Sequence, residues 1–248
     1  MMPLMSETRE SRPKPRPFDK RSLLLAHPLF GPLGPQLVDR LSSYAVSKTV
    51  KRGATIFTKG DPGNSLFAVC SGQVKITAPS ADGKDTVFNL LKEGDIFGEI
   101  ALLDGQPRTA DAIAATDCEL LVIERRNFVP LVHSHPEIAL KLIEVLCERI
   151  RRTSEQVEDV TFLDLPGRLA KVLLRLAEAA KPSPNGIKIA ITQREIGQMI
   201  GMSRESTNKQ LRSWEDRKWL RLERGGIVIL APKALAAVAA ASSEPDSE

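Results

Sequence analysis

Two periodicities divide the chain. From about Thr55 to Ile123 the apolar residues fall in short runs: TIFTKG, SLFAVCSGQVKIT, DTVFNLL, DIFGEIAL, TADAIAAT and CELLVIE. KGDPGN, ADGKD and KEGD part them. Short strand-like runs separated by Gly/Asp turns at this spacing predict an antiparallel β-barrel or sandwich. From Pro136 the period lengthens. PEIALKLIEVLCERIRRTSEQVEDVTF reads as one long helix, with its Pro where a first turn tolerates it. Ala139, Leu142, Leu146, Ile150, Thr153, Val157 and Val160 recur at three-and-four spacing, a stripe as narrow as that of a two-stranded coiled coil. Periodicity alone also allows this stripe to pack on the chain's own barrel. The polar remainder (Glu148, Arg149, Arg151, Arg152, Glu155, Glu158, Asp159) favours a seam between two copies.

Beyond it, LPGRLAKVLLRLAEAAK predicts an amphipathic helix stopped by PSPNG. A strand KIAI, a helix TQREIGQMI, a glycine turn at Gly201, a second helix from Ser203 to about Arg217 and a hairpin WLRLERGGIVIL follow. Helix, short Gly turn, helix is the helix-turn-helix pattern, and the hairpin is its wing. Thr192 and Glu195 are spaced as a capping box, and Ser203 is a natural N-cap for the second helix. The expected plan is a disordered Pro/Arg-rich arm at 1–22, a β domain at 23–135, the long helix at 136–163, a winged helix-turn-helix domain at 164–235 and a flexible tail at 236–248. The class is α+β.

Charge sharpens this division. Residues 165–235 hold 14 Lys/Arg against 6 Asp/Glu, while the chain as a whole is only +4. A basic last third makes a polyanionic partner plausible, with a solvated basic face as the plain alternative. Aromatics at 4% argue against a stacking platform for single strands. No apolar run nears the ~20 residues that span a bilayer, and the basic start lacks an apolar signal core, so no membrane association and a cytoplasmic place are expected. Cys70, Cys118 and Cys147 are far apart and odd in number, which suggests reduced thiols rather than disulfides or zinc. His133 and His135, in HSHP, suggest a surface loop before the long helix rather than a metal site. Without a P-loop, GxSxG, HExxH or spaced Cys/His set, an enzyme is not expected.

The segment FGEIALLDGQPRTA, from Phe97 to Ala110, carries the remaining chemistry. Arg108 offers a planar donor fork suited to phosphate, and Thr109 adds a hydroxyl. Backbone amides in a Gly-containing turn can cradle an anion. Glu99 cannot ligate phosphate and needs a donor such as a ribose hydroxyl. A sugar-phosphate satisfies both ends, whereas an internal Glu99–Arg108 ion pair is the plain alternative.

FGEIALLDGQPRTA resembles the phosphate-binding cassette of cyclic-nucleotide-binding domains. From about residue 28 to 230 the chain resembles the cyclic AMP receptor protein (CRP/FNR) family of bacterial transcription regulators. RTSEQVEDVTFLDLPGRLAKVLL is similar to that family's dimer helix and hinge, and ITQREIGQMIGMSRESTNKQL to its helix-turn-helix. The resemblance implies an N-terminal cyclic-nucleotide-binding antiparallel β-barrel of the double-stranded β-helix (jelly-roll) kind, a dimerisation helix and a winged helix-turn-helix. It implies a homodimer that binds a palindromic double-stranded site when switched by a nucleotide, with RNA polymerase as a further partner. Gly98 and Glu99 would hold the ribose 2′-hydroxyl, with Ile100 and Ala101 beside them. Arg108 and Thr109 would take the cyclic phosphate, and Thr153 and Ser154 would reach the base from the two subunits. Cyclic AMP is the expected ligand; Thr109 could also bond a syn guanine, which leaves cyclic GMP open. No cysteine precedes Cys70, so the iron–sulfur group of some relatives is not expected, nor is a metal.

In a helix-turn-helix the first residues of the second helix meet base edges. Arg204 can pair bidentately with guanine, Glu205 can accept from cytosine N4, and Asn208 and Lys209 lie one turn on. The resembled family commonly has Arg where Lys209 stands. Ser203, Thr192, Arg212 and the wing residues Arg221 and Arg224 are the candidates for phosphate, and Gln193 is a further expected DNA contact.

Overall fold

In the computed structural model, which describes residues 19–78, 86–178, 180 and 182–241, the chain forms a β domain, a long helix and a second small domain. Residues 1–18 of the expected arm, the ADGKD turn and residues 242–248 of the expected tail lie outside the described residues. The first domain opens with α1 (Lys20–Ala26) and α2 (Pro35–Tyr44). Asp19 caps α1 by accepting from the Arg21 and Ser22 amides, so the end of the expected arm is ordered. The strands are β1 (Val46–Val50), β2 (Thr55–Phe57), β3 (Ser65–Ser71), β4 (Val74–Ala78), β5 (Thr86–Leu91) and β6 (Ile96–Phe97). After α3 (Glu99–Asp104) come β7 (Asp111–Ala114), β8 (Cys118–Glu124) and α4 (Arg125–Ser134).

Two antiparallel four-stranded sheets face each other, in the orders β1-β8-β3-β6 and β2-β7-β4-β5. The expected jelly-roll domain is therefore two facing sheets. The unbroken apolar run of β3 follows from burial on both sides. Phe67 and Val69 point between the sheets with Val74, Leu91, Phe97 and Leu120. Leu66, Ala68 and Cys70 point outwards, beneath Leu24, Val38, Leu41, Phe128, Ile138 and Leu142 of the helices. Burial pushes the Cys70 thiol up to about 11. Sequence reading took DIFGEIAL as one strand-like run. It is a two-residue strand, a left-handed Gly98 and a helix. The HSHP segment is not an extended loop either: His133 and Ser134 close α4, and His135 alone links it to the helix that follows, its Nδ1 3.2 Å from Glu137.

That helix, α5 (Pro136–Phe162), has the expected length, and its exposed face keeps Ile150, Thr153, Val157 and Val160 of the expected stripe but not Leu142. Leu142 belongs to the β domain's own core. The uncovered large apolar residues are Leu140, Ile143, Ile150 and Val157, three and then seven apart and so on one face, with Val160 and Phe162 beyond. Ser154 falls on this exposed line between Ile150 and Val157, with Thr153 beside it.

The second domain comprises α6 (Leu165–Glu178), β9 (Pro182–Ser183), β10 (Gly186–Ile189), α7 (Gln193–Ile200), α8 (Arg204–Asp216), β11 (Leu220–Glu223), β12 (Gly226–Ile229) and α9 (Pro232–Ala241). Its sheet runs β11-β12-β10-β9. Leu169, Leu173, Ile196, Leu211, Trp214, Ile227 and Leu235 share one core. The flexible tail expected from 236 is corrected here: α9 continues to Ala241, and Val238 and Ala239 pack against that core. Only Leu163 and Asp164 separate α5 from α6, and the Asp164 carboxylate accepts from the Gly167 amide.

Candidate functional site

The turn out of β6 sets the first site. Gly98 has φ +79, and a Cβ there would lie 2.6 Å from Arg108 Nη1 and 3.0 Å from the Ser65 carbonyl oxygen. Only glycine lets the guanidinium pass this closely. Arg108 Nη1 donates to the Gly98 carbonyl at 2.8 Å, and Nη2 donates to the Ser65 carbonyl and hydroxyl at 2.8 and 3.1 Å. The Phe57 ring lies 4.3 Å under the guanidinium. Burial lowers the Arg108 pKa, against the opposing pull of Glu99 and Asp61. Its Nε has no hydrogen-bond partner.

Glu99 is 1% exposed and does not form the internal ion pair with Arg108 considered above. It pairs instead with Arg149 Nη1, from α5, whose Nη2 donates to the Ile96 carbonyl. The other carboxylate oxygen, Oε2, has no partner. Gly98, Glu99, Ile100, Ala101, Arg108, Thr109 and Arg149 thus line one cavity of about 70 Å³, walled by Phe57, Ile76 and Phe97. Its wall holds a carboxylate oxygen and a guanidinium N–H that are both buried and unspent, which a ligand with hydroxyl and anionic oxygens would satisfy. Arg149 was missed from sequence, although it stands one helical turn before Thr153. Thr153 and Ser154 are exposed on α5 and do not line this cavity within one chain.

The second site is built by helix caps. Gly201 is left-handed, and its N–H returns to the Gly197 carbonyl to end α7. At Gly197 a Cβ would meet the Met202 carbonyl oxygen at 3.0 Å and Thr207 Oγ1 at 3.1 Å, so α7 and α8 cross closely. Thr192 and Glu195 form the expected capping box, and Ser203 accepts from the Ser206 amide at 3.1 Å. Both hydroxyls are therefore engaged in caps. Thr207, Leu211 and Trp214 bury one side of α8. Arg204, Glu205, Asn208, Lys209 and Arg212 fall on the other, with Asn208 half-buried and the rest exposed. At the wing, Glu223 binds Lys188 at 2.7 Å and Arg221 at 3.1 Å, and these two cations hold its carboxyl below the usual range. A cleft of about 210 Å³ separates the wing from the helix starts, lined by Thr192, Gln193, Arg194, Arg204 and Gly225. Arg194 was not foreseen. Arg224 is exposed beside the wing turn.

The chain matches two family models, a cyclic nucleotide-binding domain over residues 47–135 and a Crp-like helix-turn-helix domain over 167–238. It is 34% identical over 211 residues to the CRP-like cAMP-activated global transcriptional regulator of Mycobacterium tuberculosis, covering 84% of this chain and 94% of the relative. It is 36% identical over 179 residues to the cAMP-activated global transcriptional regulator CRP of Pasteurella multocida, covering 71% and 86%. Among solved structures, a CRP/FNR-family transcriptional regulator of Thermus thermophilus superposes with a TM-score of 0.67 at 27% identity, over 79% of this chain and 98% of that one. The c-di-GMP responsive global regulator CLP of Xanthomonas campestris shares the fold, with a TM-score of 0.71 at 23% identity over 79% and 99%.

Proposed function

The chain belongs to the CRP/FNR family of DNA-binding transcription regulators, and from that premise we propose that it is a homodimer switched by cyclic AMP to bind palindromic promoter sites. The observation that carries the ligand is the cavity wall in which Glu99 Oε2 and Arg108 Nε are buried without partners. Glu99 would accept from the ribose 2′-hydroxyl. Arg108 and Thr109 would take the cyclic phosphate, with the amides of Gly98, Ile100 and Ala101 around it. The base would extend to the dimer seam, where Ser154 and Thr153 interrupt an apolar line and a purine edge would supply the hydrogen bonds that burial there demands.

Leu140, Ile143, Ile150 and Val157 support the seam, since large apolar side chains on one exposed helix face want a partner. In the dimer two copies of α8 would enter successive major grooves about 34 Å apart, with Arg204, Glu205, Asn208 and Lys209 at base edges and Gln193, Arg194, Arg212 and the wing at phosphates. Thr192 and Ser203 contribute by fixing the helix starts. RNA polymerase in the cytoplasm is the protein partner this role implies. Nucleotide binding drives the switch only through different affinity for two arrangements of the domains about Leu163–Asp164.

The test is calorimetric titration with cyclic AMP and cyclic GMP, paired with DNA binding at fixed salt with and without each. Saturable binding of cyclic AMP together with tightened palindrome binding is expected. Equal DNA affinity at saturating nucleotide would remove the switch, and a preference for cyclic GMP would reassign the base.

A further inference from the structure

A second cavity, larger than the first and lined by different chemistry, lies where the two domains meet. It is a cleft of about 320 Å³ between the β5 edge, the C-terminal half of α5, and helices α6 and α7. Phe88, Val160, Met199 and Ile200 give it an apolar lining, and Phe88 remains 45% exposed on it. Two guanidinium groups, Arg168 and Arg175, enter from α6, two helical turns apart on one face. Arg168 Nε is buried without a hydrogen-bond partner. Among the described residues the acidic side chain in the wall is Asp159, already bound to Lys171. Burial and the nearby Arg152 lower the Arg175 pKa, against Asp159, Glu155 and Glu178.

We propose that this interdomain cleft is a second ligand site, separate from the nucleotide pocket, for an amphipathic monoanion: an alkyl carboxylate of about ten to twelve carbons. Volume and lining match such a molecule, since small-molecule sites of roughly 300 Å³ and above are mostly apolar with a few placed polar groups. The alkyl chain would cover Phe88 and Val160, which are otherwise exposed, against the half-buried Met199 and the buried Ile200. The carboxylate would accept from Arg168 and Arg175, for which a planar two-oxygen anion is the natural complement. An alkane would leave the buried Arg168 donor unsatisfied, an alcohol would offer it only a weaker neutral acceptor, and a cation would be repelled. Thr153 and Val157 border this cleft as well as the dimer seam. An occupant there touches the β domain, the seam helix and the DNA-binding domain at once. It therefore acts on DNA affinity by favouring one arrangement of the domains over the other.

The test titrates the full-length protein with laurate below its micellar concentration, with dodecanol and dodecyltrimethylammonium as comparators. Laurate is expected to bind saturably, one per chain, in the presence of saturating cyclic AMP, with both comparators weaker. Arg168→Gln and Arg175→Gln should each weaken laurate about tenfold or more while cyclic AMP binding stays unchanged, which also reports an intact fold. Phe88→Ser, on an exposed edge strand, should weaken laurate without touching either charge. Absence of saturable binding, equal binding of dodecanol, or indifference to both Arg variants would overturn the site. Displacement of laurate by cyclic AMP would place it in the nucleotide pocket and overturn the proposal equally.

Discussion

Arg149→Ala in the nucleotide-free protein should cost far more than the loss of a surface arginine. Glu99 is 1% exposed, and Arg149 is the cation paired with it. Removing one member of a buried pair costs about 3–5 kcal/mol, because the remaining charge stays desolvated. The Arg149 side chain is 27% exposed, so solvent screening brings this down to about 2–3 kcal/mol. The Ile96 carbonyl also loses its side-chain donor, which adds roughly 1 kcal/mol. Urea denaturation monitored by circular dichroism should therefore show a loss of about 3 kcal/mol at unchanged m-value. The double variant Arg149→Ala/Glu99→Gln removes both charges and should recover about 2 kcal/mol, a coupling that a thermodynamic cycle isolates. If the single variant lies within about 1 kcal/mol of the parent, or the double is as unstable as the two singles added, the pair does not hold the pocket and the reasoning fails.

Four further outcomes follow from the same geometry. Gly98→Ala places a methyl group 2.6 Å from Arg108 Nη1 at φ +79, and calorimetry should find cyclic nucleotide affinity reduced about tenfold or more; unchanged affinity would show that Arg108 is not the anion donor. Ile150→Glu puts a charge on the exposed α5 line and should shift sedimentation from dimer to monomer, whereas an intact dimer would place the seam elsewhere. Arg204→Ala should relax one base-pair position by about 1–3 kcal/mol in competition assays, and an unaltered sequence preference would sink its assignment to guanine. His27 is buried, and burial lowers its pKa from 6.5 to about 4. The unfolded chain then binds the proton more tightly, so the His27 contribution is complete above pH 6.5 and is lost as pH falls towards 4. Between pH 7.5 and 5 this amounts to about 2 kcal/mol, and His27→Asn should flatten that slope in urea titrations; parallel slopes would exclude His27 as its source.

What could be read from the sequence was local chemistry. The helix-turn-helix was legible because its boundaries are side-chain caps a few residues away, at Thr192, Glu195, Gly201 and Ser203. Short apolar runs and turn spacing were enough for the β domain. Failures came where a long-range partner sets the structure. The DIFGEIAL run looks uniform, yet the close passage of Arg108 fixes Gly98 in a left-handed turn that starts a helix. The apolar stripe of α5 reads correctly from Ile150 onwards, but its first half does not, since Leu142 turns inward to the β domain while Leu140 and Ile143 face outward. The Ala-rich end resembled a tail because alanines carry little patterning, although Leu235 anchors it fully buried. Arg149 hid among neighbouring charges, since its role depends on where α5 crosses the β6 turn.

That crossing also explains how one helix can serve pocket, seam and DNA. Opposite the exposed apolar line, Arg149, Arg152, Gln156 and Asp159 recur three, four and three residues apart, and so share a face. Each is fastened to a different part of the chain. Arg149 holds Glu99 in the pocket, Arg152 donates to Asn89 at 3.2 Å, and Gln156 donates to the Phe88 carbonyl at 3.0 Å on β5, the edge strand of its sheet. Asp159, itself buried, holds Lys171 of α6. From Arg149 to Asp159 is ten residues, about 15 Å of helix at 1.5 Å per residue. A ligand that competes for Glu99 would loosen the first fastening, and a rigid rod would carry the change to the last without a chain of soft side chains between them. On the proposed switch, the Asp159–Lys171 pair would then be the joint at which a change in the nucleotide pocket reaches the DNA-binding domain.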